Sequence, residues 1–304
     1  VPGSDGGRPE ITVSMPTYRT PTPELRRAVT AVLGQRCTSL RLIIVSDGHT
    51  PGTIGSQLGK LAHDPRVVVH ELPEHHNRGR YFADAVTLAA CSTPFWTIHD
   101  SDDEASGTWL SVMLEKMIEC DARECPLDVV FTDQHVVSTT GRTGFDPVKY
   151  PSPGHPVRFG HYAHAAGLWR TETLRRIGGP CPAYRVGWDS MLSTIAMAEL
   201  ETFVIELMVS AMPLYTRHKR RGSLTMSPQT GLRSDYRASA RRAMVGLWSE
   251  MCVELDTHAS PLTASERQGL IGSMVRRSVD PSTWIEVQAE AARLRRVIDE
   301  KGRS

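Results

Sequence analysis

The feature that most limits what this chain can become is a recurring unit of a short apolar run, a polar cluster and an amphipathic stretch. Residues 11–15, 40–45, 67–72 and 95–98 read as buried strands, and residues 23–34, 53–63 and 80–90 between them carry helical periodicity. Strands alternating with helices of this length form βαβ units with right-handed crossovers, so the expected class is α/β with a mostly parallel sheet. Such sheets bind ligands beyond the carboxyl ends of their strands. The polar clusters Thr17-Tyr18-Arg19, Ser46-Asp47-Gly48, Asn77-Arg78-Gly79 and Asp100-Ser101-Asp102-Asp103 all fall there, so four separate loops are expected to converge on one edge.

Farther along, the pattern predicts a helix over 109–120, a strand at 129–132, helices over 170–177 and 188–198 and a strand near 203–209. A Gly-, Pro- and His-rich stretch, 139–162, reads as a lid or binding loop, because long irregular segments within a domain are usually functional. From residue 234 the chain is helical and charged, with 284–301 the clearest amphipathic piece. These helices suit either packing on the core or pairing with a second subunit as a homodimer.

Charge excludes some partners. Thirty-five Lys and Arg nearly cancel 34 Asp and Glu, so no global field would hold the protein on nucleic acid or an anionic membrane, and any anion must be gripped locally. The cysteines Cys37, Cys91, Cys120, Cys125, Cys181 and Cys252 include no CxxC pair and read as buried free thiols of a reducing compartment. No apolar stretch approaches the roughly 18 residues of a membrane span, and the first residues lack a signal-peptide core, so a cytoplasmic location is expected.

Asp100, Asp102 and Asp103 crowd together after a strand, and carboxylates so placed repel one another unless a cation lies among them. Hard oxygen ligands favour Mg²⁺ or Mn²⁺. Asp103 also suits a helix cap.

At this point the residues resemble a family, the inverting GT-A glycosyltransferases of family 2, over about the first 225 residues. The likeness rests on Met15-Pro16-Thr17-Tyr18, Ile43 to Gly48, Asn77-Arg78-Gly79, Ile98 to Asp103, Gly178-Gly179 leading to Gly187-Trp188-Asp189, and Tyr215 to His218 with Ser223-Leu224, in that order. The resemblance implies a Rossmann-like GT-A fold. It divides the chain into a flexible N-terminus (1–10), a catalytic domain (11–230, with a nucleotide half 11–103 and an acceptor half 104–230) and a helical C-terminal extension (231–304).

It further implies that Pro16, Thr17, Tyr18, Arg19 and Asp47 hold a base, expected to be uracil. Arg78, Gly79 and Arg80, at a predicted helix start, suit a nucleotide phosphate or base edge; the resemblance assigns Asp100 to the ribose, and Ser101 joins the donor-nucleotide site. Asp102 and His218 would bind the metal. Arg217, Lys219, Arg220, Arg221 and Ser223 would form a lid on the diphosphate. Asp189 would be the base that activates an acceptor hydroxyl. Trp169, Tyr184 and Trp188 suit either core packing, the commoner role of such residues, or an apolar face for an acceptor, and His155, His161 and His164, which lack zinc-site spacing, join the acceptor loop.

Two positions depart from the family pattern: Asp84-Ala85 stands where an Arg-Asn pair is common, and Trp188-Asp189 where a Glu-Asp pair is usual. The expected activity is metal-dependent, inverting transfer from a UDP-sugar, of UDP-GlcNAc or UDP-glucose type, to a small-molecule or glycan hydroxyl. The Arg- and Ala-rich composition suits a bacterial source. Two other readings stay open. One is a sugar-phosphate nucleotidyltransferase, although Met15 to Arg19 is not the Gly-rich phosphate loop such enzymes carry. The other is a non-catalytic nucleotide-sugar binding module, which would need neither Asp189 nor a metal.

Overall fold

The computed structural model describes residues 10–36, 39–48, 52–72, 78–206, 213–220, 223 and 226–302. The first half runs β1 (Ile11–Thr17), α1 (Thr22–Leu33), β2 (Leu40–Ser46), α2 (Thr53–Leu58), β3 (Val67–Glu71), α3 (Arg80–Ala90), β4 (Phe95–Ile98), β5 (Glu104–Ala105) and α4 (Trp109–Ala122). The second half runs β6 (Val129–Thr132), β7 (Gln134–Val137), β8 (Thr143–Asp146), β9 (Leu168–Arg170), α5 (Thr171–Arg176), α6 (Trp188–Glu199), β10 (Thr202–Ile205) and β11 (Tyr215–His218). Three helices follow: α7 (Asp235–Asp256), α8 (Ala264–Arg277) and α9 (Pro281–Lys301).

Among the described residues the strands form a seven-stranded sheet, in the order β10-β6-β9-β4-β1-β2-β3, and a four-stranded one, β5-β11-β7-β8. In the large sheet β1 is parallel to both neighbours, with Thr17 opposite Ser46 of β2 and Ser14 opposite Ile98 of β4. That register brings the carboxyl ends of β1, β2 and β4 to one edge, as the sequence predicts. Only β9 runs against its neighbours, β4 and β6.

The sheet is covered on both faces, which is why β2 is apolar almost throughout instead of alternating. Leu40, Leu42 and Ile44 point to the side of α1 and α4, packed with Leu25, Val29, Trp109 and Met113. Ile43 and Val45 point the other way, toward α3 and α9. On that same face Trp96 and Ile98 of β4 join a core built with α6, α7 and α8 through Met191, Ile195, Met244, Met251, Ile271 and Val275. The described C-terminal helices therefore pack on the sheet's own core. Their starts are written locally: Ser234 and Asp280 cap α7 and α9, and Thr263 with Glu266 forms a capping box on α8. No helix among the described residues is long and apolar enough to cross a membrane.

Several expectations change. The helix predicted from 170 is preceded by β9, three residues too short for any period to show. The stretch 139–162 contains β8, which makes a hairpin with β7. The strand predicted over 203–209 spans Thr202–Ile205, and 207–209 lie outside the described residues. The cysteines are not uniformly buried: Cys91, Cys120 and Cys181 are, Cys125 is exposed and Cys252 half-buried, all as free thiols, while Cys37 lies outside the described residues.

Candidate active site

A cavity of about 510 Å³ opens at the shared carboxyl edge. Pro16, Thr17, Tyr18 and Arg19 enter it from the end of β1, Asp47 from β2, and Gly79 and Arg80 from the start of α3. Asp100, Ser101 and Asp102 enter it after β4, and Arg217, His218, Lys219, Arg220 and Ser223 from β11 and beyond. Arg221 and Asn77 lie outside the described residues. Asp103, the third carboxylate of the cluster, also lines the cavity, as do Thr20, Arg185, Gln229 and Thr230, none of which stood out in the sequence.

Short bonds fix the rim. One Asp47 carboxylate oxygen accepts the Gly79 N–H at 2.9 Å, tying the end of β2 to the start of α3. Gly79 has φ of 86°, and a Cβ there would stand 3.1 Å from the Arg185 Cα, so this join requires glycine twice over. The Thr20 and Ser101 hydroxyls lie 2.7 Å apart, joining the loops after β1 and β4.

The crowded carboxylates are each met by protein groups. Arg80 forks onto Asp100, with Nη1 3.1 Å from Oδ2 and Nη2 3.0 Å from Oδ1. Burial opposes the Arg80 charge, but Asp100, the Tyr81 phenol, Asp84 and Asp189 outweigh it and hold the guanidinium protonated. Asp102 pairs with Arg220; burial and then the Asp100 charge raise its carboxyl above the usual range, against the pull of Arg220. Asp103 does not cap a helix. Its two oxygens accept the His218 N–H at 2.8 Å and the Tyr215 hydroxyl at 3.1 Å, bracing β11 against the loop after β4. Burial, then Asp100 and Asp102, raise its carboxyl strongly.

Among the described residues no three His, Cys, Asp or Glu side chains are grouped to hold a metal ion. Asp102 and His218 do share the cavity. Burial, then the Arg27 charge, lowers the His218 imidazole below its ordinary value, which favours the neutral form that can ligate. Asp102 is paired with Arg220 and His218 Nε2 lies 3.0 Å from Glu104 Oε1, so an ion held by these two side chains would displace both partners and take its remaining ligands from phosphate oxygens.

Residues 12–149 match the family model described as glycosyl transferase family 2. Those residues form a family 2 glycosyl transferase domain. In three dimensions this glycosyltransferase is similar to the 1–349 segment of S. aureus TarS in complex with UDP, at 14% identity and a TM-score of 0.56, covering 94% of this chain and 80% of that one. The same segment in complex with UDP-GlcNAc gives 16% identity, a TM-score of 0.56 and coverage of 95% and 82%. A longer S. aureus TarS structure is matched at 16% identity and a TM-score of 0.56 over 95% of this chain and 50% of that one. At such identity the likeness establishes the fold, a GT-A-like mostly parallel sheet with C-terminal helices. No curated protein sequence matches the chain.

Within the glycosyltransferase, Asp189 stands in the first turn of α6, behind Arg80 and Tyr81 and outside the lining of the cavity. The Tyr81 hydroxyl donates to its Oδ1 at 3.1 Å and accepts its backbone N–H at 3.1 Å. Burial pushes the Asp189 carboxyl up, but His161, Arg80 and Arg217 together with the Tyr81 hydroxyl more than offset this, and the net shift is downward. Asp189 is thus ionised at neutral pH. Consecutive residues of α3 therefore serve two carboxylates, Arg80 on Asp100 and Tyr81 on Asp189.

Four expected site residues lie elsewhere. Arg78 turns away from the cavity to pair with Glu286 of α9 and to lie over the Phe82 ring. Trp169 is 1% exposed on β9, edge-on to Phe131, so it has no face for an acceptor. Trp188 is fully buried; its indole N–H donates to the Gly179 carbonyl at 2.8 Å, and Tyr184 stacks on it with ring centres 5.0 Å apart. Tyr184 is spent as that cover and does not line the cavity.

Conversely, two histidines treated only as loop residues stand beside carboxylates of the site, though neither lines the cavity. His164 Nε2 is 3.6 Å from Asp100 Oδ2, and burial with its cationic neighbours lowers it far below the ordinary value, so it is neutral. His161 faces Asp189. The only sequence signal for either was their density in a long loop.

Proposed function

We propose that this glycosyltransferase moves a sugar from a UDP-sugar, of UDP-GlcNAc or UDP-glucose type, to a hydroxyl of a small-molecule or glycan acceptor, by single displacement with inversion. The observation that carries this is the convergence, in one nucleotide-sized cavity, of the Asp47 edge, the Arg80–Asp100 fork, Asp102 with His218, and the basic run Arg217 to Arg220. The TarS structures of the same fold were obtained with UDP and UDP-GlcNAc, which supports a uridine donor.

In this reading Tyr18, Arg19 and Asp47 hold the base and Asp100 the ribose. Asp102 and His218 would hold Mn²⁺ or Mg²⁺, which when bound neutralises charge on the leaving diphosphate. Arg217, Lys219 and Arg220 add fixed positive charge on the same side. Asp189 takes the proton of the acceptor hydroxyl as that oxygen bonds the anomeric carbon, and the anomeric C–O bond breaks with its electron pair leaving on UDP. An ionised carboxylate held in place by Tyr81 is what this step needs and what a binding module does not.

Calorimetric titration of UDP, with GDP and dTDP as controls, in Mn²⁺ and again in EDTA, tests the reading. UDP-selective binding that weakens in EDTA is expected. Binding of none of the three overturns it.

A further inference from the structure

His161 sits in the loop between β8 and β9, and that loop is clamped onto α6 on both sides of it. The Thr194 hydroxyl accepts the Gly160 N–H at 3.1 Å and donates to the Gly160 carbonyl at 2.9 Å, while the Tyr162 N–H donates to the Ser193 hydroxyl at 3.2 Å. Ser193 lies one helical turn beyond Asp189, so the clamp hangs the imidazole over the first turn of α6. There Nδ1 lies 3.9 Å from Asp189 Oδ2 and 3.3 Å from the Ser190 hydroxyl. The other Asp189 oxygen, Oδ1, is already taken by Tyr81, so Oδ2 is the one left for an acceptor hydroxyl. The His161 side chain is 35% exposed and Asp189 20%, so the ring is the more open of the two to water.

We propose that His161 is the positioning partner of Asp189 and the onward acceptor of the proton taken from the acceptor hydroxyl. The inference rests on the transferase reading above. The acceptor O–H bond breaks, and its electron pair forms the bond to the anomeric carbon. The sugar–phosphate bond pair leaves on UDP. The proton passes to Asp189 Oδ2, then to His161 Nδ1, and from the ring to water. The Ser190 hydroxyl and Nδ1 share a hydrogen bond, and the tautomer with its proton on Nε2, in which Nδ1 accepts, is the one the relay requires. A gap of 3.9 Å is longer than a hydrogen bond, and sites without substrate are commonly looser than the reacting complex. The charged and titratable groups facing the pair are Arg80 and Tyr81 on α3, Arg217 on β11 and His164 on the same loop.

The test compares wild type, His161→Ala, His161→Asn and Asp189→Asn for release of UDP from UDP-GlcNAc with water as acceptor, as a function of pH, alongside the Kd for UDP. His161→Ala is expected to lower kcat by about 10- to 100-fold and to change the acid limb of the pH profile, which Asp189 alone then sets, with UDP affinity held within about two-fold. His161→Asn preserves a hydrogen-bonding group at Nδ1 but carries no proton, so it is expected not to restore the rate. A wild-type rate and pH profile in His161→Ala, rescue by Asn, or loss of UDP binding in either variant overturns the relay. A wild type that neither binds UDP nor releases it overturns the transferase reading as well, and UDP binding tells the two failures apart.

Discussion

Asp84 has no exposed surface and lies one helical turn from Arg80 on α3, where it accepts a hydrogen bond from the Ser14 hydroxyl at 2.7 Å and stands 3.8 Å from the Arg80 Nε. Burial raises its carboxyl to about 7, against the pull of Arg80 and Ser14. An acid raised on folding contributes stability that is full below its unfolded value and is lost as pH rises through the folded one. For Asp84 that window runs from the ordinary carboxylate range up to about 7. Asp84→Asn keeps an acceptor for Ser14 and cannot ionise, so its stability relative to wild type is expected to rise by on the order of 2 kcal/mol between about pH 5 and pH 8. Urea unfolding of both proteins at the two pH values checks this, and an unchanged difference between them would sink it. Residues of this kind were partly legible. Asp47, Asp100 and Asp102 could be placed because a polar cluster at a strand end has only one edge to occupy. Which of Arg78 and Arg80 faces the cavity could not be read, since it depends on the direction of the first turn of α3. The burial of Trp169 likewise follows from a neighbour distant in sequence, Phe131, whereas Trp188 is covered by near neighbours, Gly179 and Tyr184, whose folded arrangement no sequence pattern marks.

At the scale of elements, the strands and helices with strong apolar periods, β1 to β4 and α3 above all, were legible nearly to the residue. The small sheet was not. Its strands Gln134–Val137, Thr143–Asp146 and Tyr215–His218 are short, largely polar and partly exposed, so no hydrophobic alternation marks them, and they are held by pairing with one another. Helix docking was equally hidden, and α8 shows why. Ordinarily a helical glycine replaced by alanine gains up to about 1 kcal/mol. At Gly272 a Cβ would stand 1.9 Å from the Arg176 carbonyl oxygen at the end of α5, a backbone atom that no rotamer change can move, whereas at Gly269 on the same helix it would meet nothing within 4 Å. Gly272→Ala is therefore expected to destabilise by about 2–3 kcal/mol through overpacking, and Gly269→Ala to stabilise by up to about 1 kcal/mol. Thermal melts of the two variants make the comparison, and equal effects would mean that α8 does not dock on α5 as described.

For the molecule as a whole, α3 is the shared wall. One side of it delivers Arg80 and Ala83 to the cavity and Tyr81 to Asp189. The other packs Phe82, Val86 and Ala90 with Val287, Ala291, Leu294 and Ile298 of α9, a contact reinforced at one end by Arg78 with Glu286, while the far end of α9 is tied to the segment before β3 by Lys301, whose ammonium donates to the Ala62 carbonyl at 3.2 Å. The last helix thus braces the wall that carries the site without reaching the site itself, and stability and ligand binding should separate there. Leu294 is fully buried in that contact, and its truncation to alanine is expected to cost about 2–4 kcal/mol in unfolding free energy. Because α7, α8 and the sheet share one core and α9 closes the same face, the loss should appear as a single transition moved to lower urea, with near- and far-ultraviolet circular dichroism coincident. Arg80 is fixed by Asp100 independently of α9, so the Kd for UDP in the absence of urea should stay within about threefold of wild type, well under the tenfold that 1.4 kcal/mol represents. Two separated transitions would show that the C-terminal helices fold as a unit of their own, and a large loss of UDP affinity at full folding would show that α9 sets the geometry of Arg80 after all.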